Sequence, residues 1–342
     1  RDQTERRVQG MFSSPPPLAP PTTEEDALRW LRLVRSPRVG PATFHRLTAA
    51  HGSVEAALAA LPGIARASGV KDYRPCPPEV AEAEFAAARR AGARLVCVGD
   101  AAYPRLLSDL PDAPPLIWAV GDLALLSRAA VALVGARNAS SLGLRMTKAL
   151  ARGLGTAGLA VVSGLARGID AAAHDAALPS GTVAVVAGGV DVVYPTENAD
   201  LARRIAEGGL ILSEQPMGLE PQARHFPRRN RIVAGLSRAV VVVEAAARSG
   251  SLITARMALD QGREVMAVPG HPFDARASGC NLLIRDGAVL VRGAEDVLAA
   301  LGARGEPLPA PCPAGAGTSD ATARCAAGEP PDPDGAPATG AI

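Results

Sequence analysis

Ala239-Val240-Val241-Val242-Val243-Glu244 is the stretch that decides the fold. A strand with one face in water alternates apolar and polar residues. A strand that is apolar at every position must be covered on both faces, as in a parallel sheet between two layers of helices. Working outward, similar short runs recur at residues 94–98, 116–120, 131–135, 159–163, 182–187, 210–213, 264–268 and 288–291. Helically spaced segments separate them. Strand–helix alternation with right-handed crossovers predicts an α/β fold, an extended Rossmann-like doubly wound parallel sheet, over residues 79–303.

Composition bounds the rest. The chain has 342 residues, 48% of them apolar but only 3% aromatic, so the core must be built from Val, Leu, Ile and Ala. Lys71 and Lys148 are the only lysines among 36 basic residues, and the net charge is +2, so an anion-binding surface has to be local. Cys76, Cys97, Cys280, Cys312 and Cys325 lack C-x-x-C spacing, which speaks against a structural metal site and against a disulfide framework. That pattern, with no apolar run long enough to cross a membrane and no secretory leader, predicts a cytoplasmic protein without metal or cofactor.

Residues 1–22 carry Ser13-Ser14-Pro15-Pro16-Pro17 and are expected to be a disordered extension, with Met11 as the expected natural start. Residues 23–75 read as a small helical domain in which Thr23 caps a helix whose Asp26 completes a loose capping box. The turn Ser36-Pro37-Arg38-Val39-Gly40-Pro41 then resembles a helix-hairpin-helix (SAM-like) module. A phosphate contact through its amides and a purely docking role both fit. Residues 304–342, rich in Pro, Ala, Gly and Asp, are expected to be a disordered tail.

In an open parallel sheet, ligands collect at the carboxyl ends of the strands. The loops expected there are Gly135-Ala136-Arg137-Asn138, Ser163-Gly164-Leu165-Ala166-Arg167-Gly168-Ile169-Asp170, Gly188-Gly189-Val190-Asp191 and Ser213-Glu214. Glycines allow close approach of an anion, helix N-terminal amides point at it, and arginines clamp it. Neither a dinucleotide fingerprint nor a P-loop is present, which disfavours nicotinamide or ATP chemistry. The stretch from Arg224 to Arg238, which opens Arg224-His225-Phe226-Pro227-Arg228-Arg229-Asn230-Arg231, holds five arginines, with Phe226 among them and no acid. An aromatic ring among arginines is the make-up of a base-stacking platform. The alternative places Phe226 in the core and the arginines on a solvated helix face.

The segments at 163–170 (SGLARGID), 188–195 (GGVDVVYP), 226–237 (FPRRNRIVAGLS), 243–255 (VEAAARSGSLITA) and 267–270 (AVPG) resemble, in order, the signature series of the DNA-processing protein A (DprA/Smf) family. That resemblance implies sequence-independent single-stranded DNA binding, homodimerisation, protection of incoming single-stranded DNA, and loading of the RecA recombinase in natural transformation and recombination. It also implies that Gly135, Arg137, Ser163, Gly164, Arg167, Gly168, Arg224, Phe226, Arg228, Arg229, Asn230 and Arg231 contact DNA. Ala136 stands where the family more often has serine, and a disordered tail is expected where many members carry a winged helix.

Two other readings compete. Asp170, His174, Asp191, Glu214 and Glu244 could supply acid and base groups to a Rossmann-like hydrolase of nucleoside-monophosphate N-glycosidic bonds. Against it, no close carboxylate pair is evident and each has an ordinary structural use: Asp170 and Asp191 sit in strand–helix turns, and His174, one turn beyond Asp170 on the same helix, reads as a fold-stabilising partner. A structural oligomer or adaptor is the third reading, with the helix predicted at residues 251–261 and the strands near residues 265–289 able to form a self-complementary face.

Overall fold

A computed structural model describes residues 18–303. The expectations for residues 1–17 and 304–342, and with them Cys312 and Cys325, lie outside the described residues. Thr23 accepts a hydrogen bond from the Asp26 amide and starts α1 (Glu24–Arg35) as the capping pattern predicts. Helices α2 (Pro41–His51), α3 (Val54–Ala67) and α4 (Pro78–Arg90) complete the amino-terminal region.

A nine-stranded sheet follows. Its strands are β1 (Arg94–Cys97), β2 (Leu116–Gly121), β3 (Ala130–Val134), β4 (Ala160–Ser163), β5 (Thr182–Val185), β6 (Leu210–Ser213), β7 (Ala239–Val242), β8 (Glu264–Ala267) and β9 (Val289–Leu290), in the order β1-β2-β6-β5-β4-β3-β7-β8-β9. From β6 across to β9 the strands are parallel. The sheet departs from the all-parallel expectation at one edge, where β2 runs antiparallel to β6 and β1 antiparallel to β2. A single-turn helix α5 (Arg105–Ser108) lies between β1 and β2. The crossovers are α6 (Ser141–Thr156), α7 (Ile169–Ala177), α8 (Ala199–Gly208), α9 (His225–Gly235), α10 (Ser251–Asp260) and α11 (Ser278–Arg285), and α12 (Ala294–Ala303) follows β9.

The opening stretch behaves as its composition requires. Val240 and Val242 pack on one face with Ile232 and Val233 of α9 and Ala255 and Ala258 of α10. Val241 and Val243 pack on the other with Leu150 and Leu154 of α6 and Val297 and Leu301 of α12. Each buried valine contributes about 1.5–3 kcal/mol by leaving water. The amino-terminal helices share this second face rather than standing apart. Trp30, Leu31 and Phe44 join one core with Leu116 and Trp118 of β2, Ala184 and Ile211.

A buried polar clamp fixes the junction. The Arg35 guanidinium pairs with Glu84 at 2.8 Å, the Trp118 indole donates to Glu84 at 2.8 Å, and Arg35 also donates to the Glu214 carbonyl at 3.2 Å. Among the described residues Cys76, Cys97 and Cys280 are free and buried, and no helix is long and apolar enough to cross a membrane.

Candidate functional site

The chain winds from β3 through β4 and β5 to β6, then returns with β7 on the other side of β3. That reversal is the topological switch point where open α/β sheets bind ligands. A crevice of about 960 Å³ opens there, lined by the loops after β3, β4, β5 and β7 and by the start of α9. Four arginines line it (Arg137, Arg229, Arg248 and Arg276) against one carboxylate, Asp170, which is buried.

Phe226 sits in the first turn of α9, half-buried on the crevice wall. Its ring lies 5.8 Å from that of Tyr194, and the Arg137 guanidinium stands over it at 5.5 Å. Arg137 is exposed, so the pair presents a charged group beside a π face. Gly135, Gly164 and Asn230 line the same crevice.

Two glycines set the geometry. A Cβ on Gly164 would lie 1.7 Å from the Arg229 guanidinium, so only glycine lets that side chain pass beneath the loop. Gly168 has φ +75°, and a Cβ there would lie 2.3 Å from the Ala136 carbonyl, so the β3 and β4 loops can touch only at glycine.

The N-termini of α6 and α7 are not open anion sites. The Gly164 and Ala166 amides donate to the Asp170 carboxylate at 3.1 and 3.4 Å. The Ser140 amide, ahead of α6, donates to Glu244 at 2.8 Å, and the Ser140 hydroxyl donates to the same carboxylate. Internal carboxylates therefore take the place at these helix starts that a phosphate would take. Burial pushes the Asp170 carboxyl up from the usual range while the Arg229 charge pulls it down. Burial also lowers Arg229 to about 10, which leaves it charged at neutral pH, and its Nη1 donates to the Val185 carbonyl at 2.7 Å.

The remaining acid–base candidates are likewise committed. His174 is fully buried; the Leu165 amide donates to its Nε2 at 3.3 Å and its Nδ1 donates to Thr182 at 2.7 Å. Burial lowers it to about 3, so it is neutral. Asp191 accepts from the Gly218 amide, and Glu214 pairs with Arg231.

Several expected contact residues are placed elsewhere. Ser163 is a correction: it is completely buried and its hydroxyl donates to the Leu133 carbonyl at 2.6 Å. Arg231 is another. It points into the protein, paired with Glu214 and with Asp112 at 3.4 Å, because α9 turns that position toward the β6 loop. Arg167 is exposed but lies beside Glu197 at 3.4 Å, outside the crevice lining. Arg224 and Arg228 are exposed, also outside that lining. Conversely, Tyr194, Arg248, Ser251, Thr254 and Arg276 line the crevice and had not been singled out as contacts. The strand-end rule, applied to the loop after β7, would have found Arg248.

Residues 94–302 match the family described as DNA recombination-mediator protein A, and residues 24–87 match a DprA-like N-terminal HHH domain. The chain belongs to the DNA recombination-mediator protein A family. It is 48% identical to the DNA processing protein DprA of Streptococcus pneumoniae over 202 residues, covering 58% of this chain and 71% of that protein. It is 40% identical to the Bacillus subtilis DprA over 238 residues, covering 69% and 79%.

The solved S. pneumoniae DprA structure superposes with a TM-score of 0.60 at 42% identity, covering 70% of this chain and 86% of that one. The Helicobacter pylori DprA structure, described for its single-stranded DNA binding mode, gives a TM-score of 0.57 at 31% identity, covering 62% and 97%. The DprA signature segments quoted from the sequence thus surround one crevice: parts of SGLARGID, GGVDVVYP, FPRRNR and VEAAARSGS line it.

Proposed function

We propose that this chain binds single-stranded DNA without regard to sequence, in the crevice at the carboxyl ends of β3, β4 and β7. On this reading it serves DNA processing and recombination as a binding protein rather than as an enzyme. The observation that carries the reading is the exposed Arg137 guanidinium over the Phe226 ring, in a crevice where arginines outnumber carboxylates four to one. Guanidinium groups hold phosphates bidentately, and an aromatic face accepts any base. Asp170 and Glu244 already occupy the starts of α7 and α6, so on this reading guanidinium groups take the larger part of phosphate binding: Arg137, Arg248 and Arg276 inside the crevice, with Arg167, Arg224 and Arg228 outside its lining.

Family membership supports the wider role. The bound strand is protected, the protein acts as a homodimer in the cytoplasm, and it loads RecA recombinase during transformation. The hydrolase reading finds no support in the site, since Asp170, His174, Asp191, Glu214 and Glu244 are all engaged in internal hydrogen bonds or ion pairs.

Fluorescence anisotropy with a mixed-sequence single strand and its duplex, at several salt concentrations, tests the proposal. With about four phosphates neutralised, the log–log salt slope for the single strand is near −3. A flat salt response, or equal affinity for duplex, overturns it. Release of adenine from AMP above background would favour the hydrolase.

A further inference from the structure

Phe273 is 95% exposed, far more than any other large apolar side chain among the described residues. A lone exposed apolar residue is ordinary on a protein surface; this one is distinguished by its position and its fixed surroundings. It lies in the loop after β8, the next parallel strand beyond β7, at the same carboxyl edge that carries the crevice. Three residues on, Arg276 lines the crevice itself. The loop therefore runs from the crevice wall to an outward-facing phenyl ring.

The loop is held in shape. The Asp274 amide donates to the His271 carbonyl at 2.9 Å, and the Ala277 amide to the Asp274 carbonyl at 2.9 Å. Asn281 bridges the Gly270 carbonyl and amide at 3.0 and 3.2 Å. The Ala247 amide donates to the Ser278 hydroxyl at 3.0 Å, tying this loop to the one that carries Arg248. The His271 ring stands 5.5 Å from that of Phe273, beside it. The loop's one acid, Asp274, is paired with Arg276 at 3.2 Å, which offsets its repulsion of a polyanion.

Resting on the single-stranded DNA reading above, we infer that Phe273 is a second base-stacking step, reached by a strand that leaves the crevice across Arg248 and Arg276. The occupant is the continuing single strand, because the loop that carries the ring also carries Arg276 of the crevice lining and is tied through Ser278 to the loop of Arg248. Tyr194, after β5, and Phe273, after β8, are four strand positions apart in the sheet order. At about 4.8 Å per strand this is roughly 19 Å. A strand stacked at about 3.4 Å per phosphate spans that with about six nucleotides, and fewer when extended. The crevice and Phe273 are thus engaged together only by strands longer than a few nucleotides.

Phe273→Ala, compared with wild type on thymidine strands of about four and about fifteen nucleotides, tests the inference. The long strand should bind about five- to a hundredfold more weakly and the short strand equally well, with no change in melting temperature. Phe273→Trp should restore affinity and show fluorescence quenching by the long strand only, against the buried background of Trp30 and Trp118. Long-strand affinity unchanged in Phe273→Ala, while Phe226→Ala weakens it, overturns this inference and leaves the crevice reading standing. Loss of self-association in Phe273→Ala with DNA affinity intact also overturns it, making the ring a contact with a second copy. Failure of wild type to bind either strand removes the reading on which it rests.

Discussion

Replacing Phe226 by alanine separates a base platform from a core residue, because the structure fixes the size of both effects. The ring is half-buried, so its truncation costs less than the about 3–5 kcal/mol of a fully enclosed phenylalanine. Half of the about 1.5–3 kcal/mol for burying such a side chain is about 1 kcal/mol. Losing the Arg137 guanidinium over the ring adds about 0.5–1 kcal/mol. The sum is about 2 kcal/mol, which for a domain of this size lowers Tm by roughly 4–8 °C. Loss of one base stack costs about 1–3 kcal/mol of binding, or about five- to 150-fold in affinity.

The assays are thermal unfolding without DNA and anisotropy in the cold, where Phe226→Ala is fully folded. A double-mutant cycle with Arg137→Ala adds the geometry. If the ring positions the guanidinium, the arginine substitution costs less in the Phe226→Ala background than in wild type. A Tm drop well beyond 10 °C with affinity intact would show that the ring is simply core. Unchanged affinity with a small Tm shift would place the bases elsewhere.

Arg231→Met should lower stability by up to about 3 kcal/mol, because it leaves the largely enclosed Glu214 carboxylate without its ion-pair partner, while single-strand affinity of the folded fraction stays at wild type. Reduced affinity with unchanged denaturant midpoint would contradict the inward placement of this arginine. Gly164→Ala should weaken both stability and binding, since the new methyl displaces the Arg229 guanidinium from the Val185 carbonyl at a cost of about 1–3 kcal/mol; urea unfolding and anisotropy check it. His174 stays neutral in the folded protein down to about 3, whereas the unfolded chain takes up a proton near 6.5. The unfolded state therefore binds more protons as pH falls, and stability is lost below 6.5, by about 2 kcal/mol at pH 5. His225, lowered by burial, acts in the same direction. His174→Gln should flatten the slope in urea unfolding between pH 6.5 and 5, and an unchanged slope would locate the titration elsewhere.

What the sequence makes legible follows from what each pattern encodes. The valine run of β7 announces two covered faces, and α9 with α10 and α6 with α12 supply them. Residues 116–120 carry the same message for a different reason. Ile117 and Ala119 join the core on one face, while Leu116 and Trp118 are covered on the other by α1–α4. Burial on both faces is written in the residues, but strand direction is not, so β2 reads like its parallel neighbours although it runs against β6. The site divides in the same way. A ring among arginines identifies α9, yet which arginines reach the crevice depends on partners distant in sequence. Asp112 and Glu214 draw Arg231 inward, and the absence of a Cβ at Gly164 gives Arg229 its place. Glycine-rich loops ahead of helices also raise the expectation of open amides. Asp170 and Glu244 fill those positions, the first from six residues beyond Gly164 and the second from a hundred residues beyond Ser140. The first of these was readable locally and the second only from the fold. Together they close the amides ahead of α6 and α7 and leave guanidinium groups on separate loops as the exposed cations, which is why the proposed binding is assigned to arginine side chains able to follow a strand of any sequence.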